Sequence, residues 1–142
     1  YAFYQTFLNK ENVKFIANKT YDLLSHSQAA LVTSGTATLE TALFNVPEVV
    51  CYKGSWASYQ IAKRILTLKY ISLVNLIRDK EVVKELIQDE LNTKNLKIEL
   101  NKILNTEGRA QLLKEYAQLK QDLGGEGASK KTATLIINSL KK

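Results

Sequence analysis

The 142-residue sequence contains no methionine and only one residue each of cysteine, histidine, proline and tryptophan. A single cysteine, Cys51, excludes an internal disulfide framework, and its apolar neighbours indicate a buried structural thiol. The lone His26 has no cluster of cysteines or histidines around it, so the usual kind of metal site is not expected, and we place it on a helix surface. Because an open reading frame begins with methionine, we also expect further sequence before Tyr1.

Long apolar runs are absent as well. No stretch approaches the ~18 apolar residues needed to cross a bilayer, and no basic-then-apolar leader is present, so a cytosolic protein is expected. The net charge of +6 arises from 20 Lys and Arg against 14 Asp and Glu, and it favours anionic partners. The lysines form no basic stripe with interleaved aromatics, which argues against nucleic acid. An anionic membrane surface fits this diffuse excess better.

The first half of the chain alternates between two periodicities. Short apolar segments predict strands at residues 13–17, 29–32 and 48–52, with a further strand or extended loop at 70–76. Helical spacing predicts helices at residues 21–28, 36–45 and 55–68, after the end of a helix at 1–8. This alternation indicates an α/β fold with a Rossmann-like parallel sheet and right-handed crossovers.

After residue 80 the pattern predicts helices alone, so we divide the chain into a partial Rossmann-like lobe at 1–80 and C-terminal helices at 81–142. Apolar stripes at 82–87, 96–104 and 112–119 are interpreted as faces of these helices. The glycines of residues 124–127 follow no strand, so they are read as a hinge and not as a phosphate loop. The last helix, 128–140, is expected to pack away from its own sheet, against other parts of the protein or a partner chain.

The most informative stretch is residues 29–40, where an apolar strand enters a glycine turn and then a helix. The first turn of a helix has unpaired N–H groups and a partial positive charge, so Ser34, Gly35 and Thr36 could bind a phosphate. Glu40, one turn further on, could accept hydrogen bonds from a ribose. Together they suggest a nucleotide site. An ordinary strand-to-helix turn with a Ser/Thr cap is the alternative, since short glycine motifs occur often by chance.

Five segments in register resemble the lipid-A-disaccharide synthase family. They read SGTATLE (34–40), VVCYK (49–53), IAKR (61–64), YISLVNL (70–76) and EVVKELIQ (81–88). The likeness extends to GAS (127–129) and the closing helix, and it therefore covers nearly the whole chain.

The resemblance implies an inverting, UDP-sugar-dependent glycosyltransferase of the GT-B type, with two Rossmann-like lobes and no metal or other cofactor. Such an enzyme transfers 2,3-diacylglucosamine from UDP onto 2,3-diacylglucosamine 1-phosphate in lipid A biosynthesis. This chain would be its donor-binding C-terminal part, inactive alone. The general base would lie in the N-terminal lobe, so no catalytic residue is named. A homodimer and peripheral association with the cytoplasmic face of the inner membrane are further expectations.

By motif match, Ser34, Gly35 and Thr36 would hold the diphosphate, and Glu40 would bind the ribose. Lys53 and Asn75 would contact substrate. Two positions depart from the family pattern. Val74 stands where the family has proline, and Asp79-Lys80 replace a Gly-Arg pair.

Two alternatives remain open at this point. One is another UDP-N-acetylglucosamine enzyme, either the peptidoglycan glycosyltransferase or an epimerase. The other is a nucleotide-binding module without catalysis.

Overall fold

A computed structural model describes residues 2–5, 13–55, 69–125 and 127–140. The strands are β1 (Ala30–Thr33), β2 (Glu48–Tyr52) and β3 (Lys84–Ile87). A single 3-10 turn, Gln88–Glu90, follows β3. The helices are α1 (Ala2–Gln5), α2 (Thr20–Ser25), α3 (Thr36–Leu43), α4 (Leu73–Arg78), α5 (Thr93–Leu104), α6 (Thr106–Asp122) and α7 (Ala128–Leu140).

The described strands form a parallel sheet in the order β1-β2-β3. Val32 lies opposite Val50 in the first pair, and Cys51 lies opposite Leu86 in the second. The middle strand is covered on both sides, with Val49 and Val50 fully buried, as is typical of a strand inside a parallel sheet. The predicted α/β fold with a Rossmann-like parallel sheet and a helical tail is therefore confirmed.

Helices pack around this sheet and close the core. Helix α3 packs on β1 and β2, and α5 packs on β2 and β3. Helix α6 contacts α3, α4 and α5 and contributes the apolar stripe predicted for it, with Tyr116 and Leu119 completely buried. The sheet and these helices share one cluster of buried apolar residues: Ala42, Val49, Val50, Val74, Val83, Leu86, Ile103, Leu112, Tyr116 and Leu119.

Three local predictions were wrong. Residues 13–17 are not a strand. Residues 70–76 are not a strand either, because Ser72 caps helix α4 by accepting a hydrogen bond from the Asn75 N–H at 3.3 Å. Residues 82–87 are not helical: the segment enters the sheet as β3, so the sheet continues past residue 80. The predicted helix over 55–68 lies largely outside the described residues. The domain boundary that we place at residue 80 stays a prediction.

The tail ends in an exposed helix. Gly124, Gly125 and Gly127 all have positive φ angles, and no residue of α7 is buried. Its apolar side chains, including Leu135 and Leu140, face solvent. The helix therefore does not dock on the described sheet, as predicted. What covers it, and whether the glycines act as a hinge, stay predictions.

One ionisable side chain lies in the core without a hydrogen-bond partner among the described residues. Glu48 begins β2 and is completely buried, and neither of its carboxylate oxygens has a hydrogen-bond partner in the described structure. The hydroxyl of Tyr116, on α6, is also buried and lies close to the backbone of Glu48. Desolvation raises the pKa of Glu48 from its ordinary 4.5 to about 9, so this carboxyl is neutral at pH 7.

Candidate functional site

The glycine turn and Lys53 lie at the carboxyl edge of the sheet, whereas Asn75 lies near the start of β3. The turn of Ser34 and Gly35 follows β1, Lys53 follows β2, and Gln88 follows β3. Since the strands are parallel, all these connections leave from one edge. In open α/β sheets, ligands bind in the crevice outside this edge.

Gly35 is the residue before α3, and its backbone requires a glycine. Its φ of 139° and ψ of −164° lie in a region that residues with a Cβ rarely adopt. No side chain caps the helix, so its first N–H groups are not satisfied by a side-chain oxygen. A Cβ at Gly35 would meet nothing within 4 Å, so a ligand can approach the backbone here. The turn thus has the features of an anion site.

Ser34 and Thr38 fasten this turn to the segment before α4. Ser34 Oγ donates to the Ile71 carbonyl at 2.9 Å. Thr38 Oγ1 donates to the Gly35 carbonyl at 2.8 Å and accepts from the Leu73 N–H at 3.3 Å. A hydroxyl has one proton to donate, so in this structure Ser34 Oγ is committed to the protein. The donors available to an anion are therefore the N–H groups at the start of α3 and the exposed Thr36 hydroxyl.

Glu40 lines a cavity beside the turn. The cavity has a volume of about 500 Å³, and its other lining residues come from α2 and the segment before it: Asn18, Lys19, Thr20, Tyr21 and Asp22. Glu40 is half-buried, and within the described residues its carboxylate has no hydrogen-bond or ion-pair partner. Residues four apart share a helix face, so Glu40 lies on the same side of α3 as Thr36. Ser34, Gly35 and Thr36 do not line the cavity.

Lys53 and Asn75 differ sharply in their surroundings. Lys53 is exposed at the end of β2, and no ion-pair partner for it lies in the described ranges. Asn75 is completely buried. Its Oδ1 accepts from the N–H groups of Val82 and Val83 at 2.7 and 2.9 Å, and its Nδ2 donates to the Val83 carbonyl and to Glu85. The amide is fully used within the protein, so the geometry supports a positioning role. Its contact with substrate stays a prediction.

Glu85 is a buried residue of this region that sequence reasoning missed. Its Oε1 accepts from the Ser72 N–H at 2.9 Å, from Ser72 Oγ at 2.8 Å and from Asn75 Nδ2 at 2.9 Å. Its Oε2 accepts from the Ile71 N–H at 3.0 Å. These donors compensate the burial of a carboxylate on β3. The signal in the sequence was a single acidic residue inside residues 82–87, which we interpreted as the apolar stripe of a helix.

Two further features bear on the kind of site. Among the described residues no three His, Cys, Asp or Glu side chains come together in a group able to hold a metal ion. In the same ranges no helix is both long and apolar enough to cross a bilayer. His26 is exposed at the end of α2, as predicted.

The fold and the site together define a class: a Rossmann-like α/β lobe with a glycine turn and an uncapped helix N-terminus at the carboxyl edge of its sheet, and with a cavity lined by Glu40 of the same helix. Comparison with known proteins specifies it further. The family model described as lipid-A-disaccharide synthetase matches residues 3–138. The chain therefore belongs to the lipid-A-disaccharide synthetase family.

Curated relatives agree with this assignment. The lipid-A-disaccharide synthase of Syntrophus aciditrophicus is 38% identical over 131 residues, which cover 92% of this chain and 34% of that protein. The synthase of Geobacter sulfurreducens is 33% identical, with the same coverage of 92% and 34%. That of Acidobacterium capsulatum is 39% identical over 75% of this chain and 27% of its own length. The chain thus spans about a third of the length of these relatives.

Proposed function

We propose that this chain is the donor-nucleotide-binding part of a lipid-A-disaccharide synthase. The whole enzyme would transfer 2,3-diacylglucosamine from UDP onto 2,3-diacylglucosamine 1-phosphate. The observation that carries the proposal is the Gly35 turn, with its uncapped helix N-terminus beside the cavity of Glu40. Family membership supplies the particular nucleotide and sugars.

Each part of the site suits one part of a nucleoside diphosphate. The N–H groups at the start of α3 suit a phosphate, because they are donors at the positive end of a helix. Glu40 would repel a phosphate but accepts hydrogen bonds from ribose hydroxyls, and the cavity beside it has room for a nucleoside. Lys53 adds a positive charge at the same edge.

The proposal extends to the rest of the enzyme. Its mechanism would be inverting, with a general base from the other lobe taking the proton of the acceptor hydroxyl. No residue of this chain is assigned that role, so the chain alone would be inactive. We place the enzyme in the cytoplasm, peripherally on the inner membrane, because its substrates are acylated and the chain carries a net charge of +6. Its partners would be the two sugar substrates, the other lobe and a second copy of the enzyme.

A calorimetric titration of UDP, UMP and deoxy-UDP into the chain tests this proposal, with flavin mononucleotide as the unrelated control. We expect UDP to bind more tightly than UMP and deoxy-UDP, and flavin mononucleotide not to bind. Glu40→Ala should weaken UDP by roughly 10- to 150-fold, since hydrogen bonds to a charged acceptor contribute about 1.5–3 kcal/mol. That variant should also lose the preference for UDP over deoxy-UDP.

Two more variants complete the design. Gly35→Val should weaken UDP and deoxy-UDP alike, because it alters the backbone and removes no ribose partner. Glu107→Ala, on the exposed first turn of α6, is the matched control and should bind as the wild type does. Unchanged UDP binding by Glu40→Ala would refute the ribose assignment. Unchanged binding by Gly35→Val would place the phosphate site elsewhere.

A further inference from the structure

Gln88 is the first residue after β3, and its side chain is held in one orientation. The N–H of Gly54, in the loop after β2, donates to Gln88 Oε1 at 3.1 Å. Only the oxygen of an amide accepts a hydrogen bond, so this contact fixes which end of the amide carries the NH₂ group. The donor Nε2 is therefore the end turned away from Gly54.

Two features of Gln88 cost free energy in the folded chain. Its Nε2 is shielded from water and has no hydrogen-bond partner within the described ranges. Its backbone is left-handed, with φ of 52°, although it is not a glycine. A buried donor without an acceptor costs free energy, and so does a left-handed backbone at a residue other than glycine. Such costs cluster at ligand sites, where a ligand supplies the missing partner.

The position of Gln88 on the sheet edge indicates which part of a ligand would lie beside it. Gly35, Lys53 and Gln88 follow β1, β2 and β3 in turn, and neighbouring strands lie about 4.8 Å apart, so the outer two strands are separated by about 10 Å. All three positions offer hydrogen-bond donors. The cavity of Glu40 is lined by the start of α2 and the segment before it, and neither Lys53 nor Gln88 lines it. A diphosphate over Gly35 with its nucleoside in that cavity therefore leaves the attached sugar to extend toward β2 and β3.

We propose that Gln88 is a specificity residue for the sugar of the nucleotide-sugar donor, with Nε2 donating a hydrogen bond to an oxygen of that sugar. This inference rests on the proposed function, since it needs the diphosphate at Gly35. Lys53, Gly54 and Ser55 form an exposed loop next to the amide, and a ligand must reach Nε2 while the Gly54 N–H keeps its hydrogen bond. The Gly54 contact then acts as the brace that holds the amide in its orientation.

Two variants separate donation to the sugar from support of the loop. Gln88→Glu keeps an oxygen for the Gly54 N–H but replaces the donor by a second oxygen. Gln88→Met has a similar length, adds no charge and removes both groups. Gln121→Glu, on the exposed end of α6, adds the same charge away from the edge and is the control.

The experiment is a calorimetric titration of the 142-residue chain with UDP and with UDP-N-acetylglucosamine. We expect the wild type to bind the sugar nucleotide at least tenfold more tightly than UDP. Gln88→Glu and Gln88→Met should bring that ratio close to one, while their affinity for UDP itself stays within about threefold of the wild type. The control should keep both the ratio and the affinity.

Each contrary result overturns the inference in a recognisable way. A wild-type ratio of one means that no sugar contact exists to be lost. A ratio that both variants leave unchanged excludes Gln88 as its source. Equal weakening of UDP and UDP-N-acetylglucosamine shows that Gln88 only supports the loop. If the wild type binds neither ligand, the proposed function fails and this inference falls with it.

Discussion

Ser34 Oγ donates a hydrogen bond to the Ile71 carbonyl at 2.9 Å, and this contact joins the glycine turn to a segment 37 residues further along the chain. The Ile71 N–H in turn donates to the carboxylate of Glu85 on β3. The turn after the first strand is therefore connected to the third strand through a single residue of the segment between them. The geometry of the glycine turn depends on this connection as well as on local sequence.

Ser34→Ala tests that connection. It removes one partly buried hydrogen bond, so we expect a loss of roughly 0.5–1.5 kcal/mol in the free energy of unfolding. UDP binding should weaken by a few fold, because the turn loses its tether and not its N–H donors. Urea denaturation and calorimetry measure the two effects. Ser27→Ala, which removes a local bond to the Leu23 carbonyl on exposed α2, should leave binding unchanged. Equal binding by Ser34→Ala and the wild type would show that the tether does not position the site.

A second prediction concerns the backbone at Gly35. Gly35→Ala should destabilise the fold by roughly 1–3 kcal/mol, since its φ of 139° is a region nearly restricted to glycine. The added Cβ meets no atom within 4 Å, so the cause would be conformational and not steric. Gly125→Ala is the matched control, with a φ of 66° and equally open surroundings. Both should lower the melting temperature, but only Gly35→Ala should weaken UDP. Weakening by both would point to a general loss of order.

Much of this region followed from the sequence because local signals and tertiary structure agree there. The apolar run at the end of β1, the glycine and the helical spacing after it are all short-range features, and the fold uses each as expected. Lys53 also lies where predicted, directly after β2 at the carboxyl edge. Glu40 lies on α3, one turn after the glycine turn, as predicted.

Other parts could not be read from local patterns. Residues 82–87 satisfy a helical spacing, but residues 84–87 form strand β3 with Glu85 buried. Its burial depends on donors from Ile71, Ser72 and Asn75, which lie 10 to 14 residues away. The apolar character of residues 70–76 suggested a strand, whereas Ser72 as an N-cap starts a helix. Gln88 lies in a segment that resembles the family, but its backbone angle and its missing hydrogen-bond partner are visible only in the structure.

Asn75 and Glu85 should prove energetically coupled. Asn75→Ala leaves the N–H groups of Val82 and Val83 buried without an acceptor, so we expect a loss of roughly 2–4 kcal/mol. Glu85→Gln turns an NH₂ group toward N–H donors and should also destabilise. Because the two side chains share a hydrogen bond, a double-mutant cycle by urea denaturation should give a coupling of about 1 kcal/mol or more. Additive effects would contradict the network. Asn101→Ala, on the exposed face of α5, should change stability little.

Asp79 ends α4 in the left-handed conformation, with φ of 48°, at a position where glycine is preferred. Asp79→Gly should therefore stabilise the chain by about 0.5 kcal/mol. Its ion pair with Lys69 is 3.9 Å long and highly exposed, so losing it should cost little. Asp89→Gly, within the 3-10 turn after β3, has no such strain to relieve and should give no gain. A rise in melting temperature for Asp79→Gly alone is the expected result, and equal shifts in both variants would argue against it.

The buried carboxyl of Glu48 should make stability depend on pH. Its pKa is about 9 in the folded chain because of desolvation, against an ordinary value of 4.5. Between these values the folded state binds a proton that the unfolded state has released, so the free energy of unfolding falls as pH rises, by up to about 1.4 kcal/mol per unit. The neighbouring Tyr116 stays protonated throughout this window, since burial raises its pKa as well.

Glu48→Gln isolates this effect, because the amide has nearly the same size and stays neutral at every pH. At pH 5 the variant and the wild type should unfold at similar urea concentrations. At pH 8 the variant should be more stable by more than about 2 kcal/mol, as the wild type alone loses stability when its unfolded carboxyl ionises. Glu90→Gln, at an exposed carboxyl after β3, should follow the wild-type curve. If the curves of Glu48→Gln and the wild type stay parallel from pH 5 to 9, the buried carboxyl is paired or hydrated in solution, and the core around β2 and α6 differs from the one described.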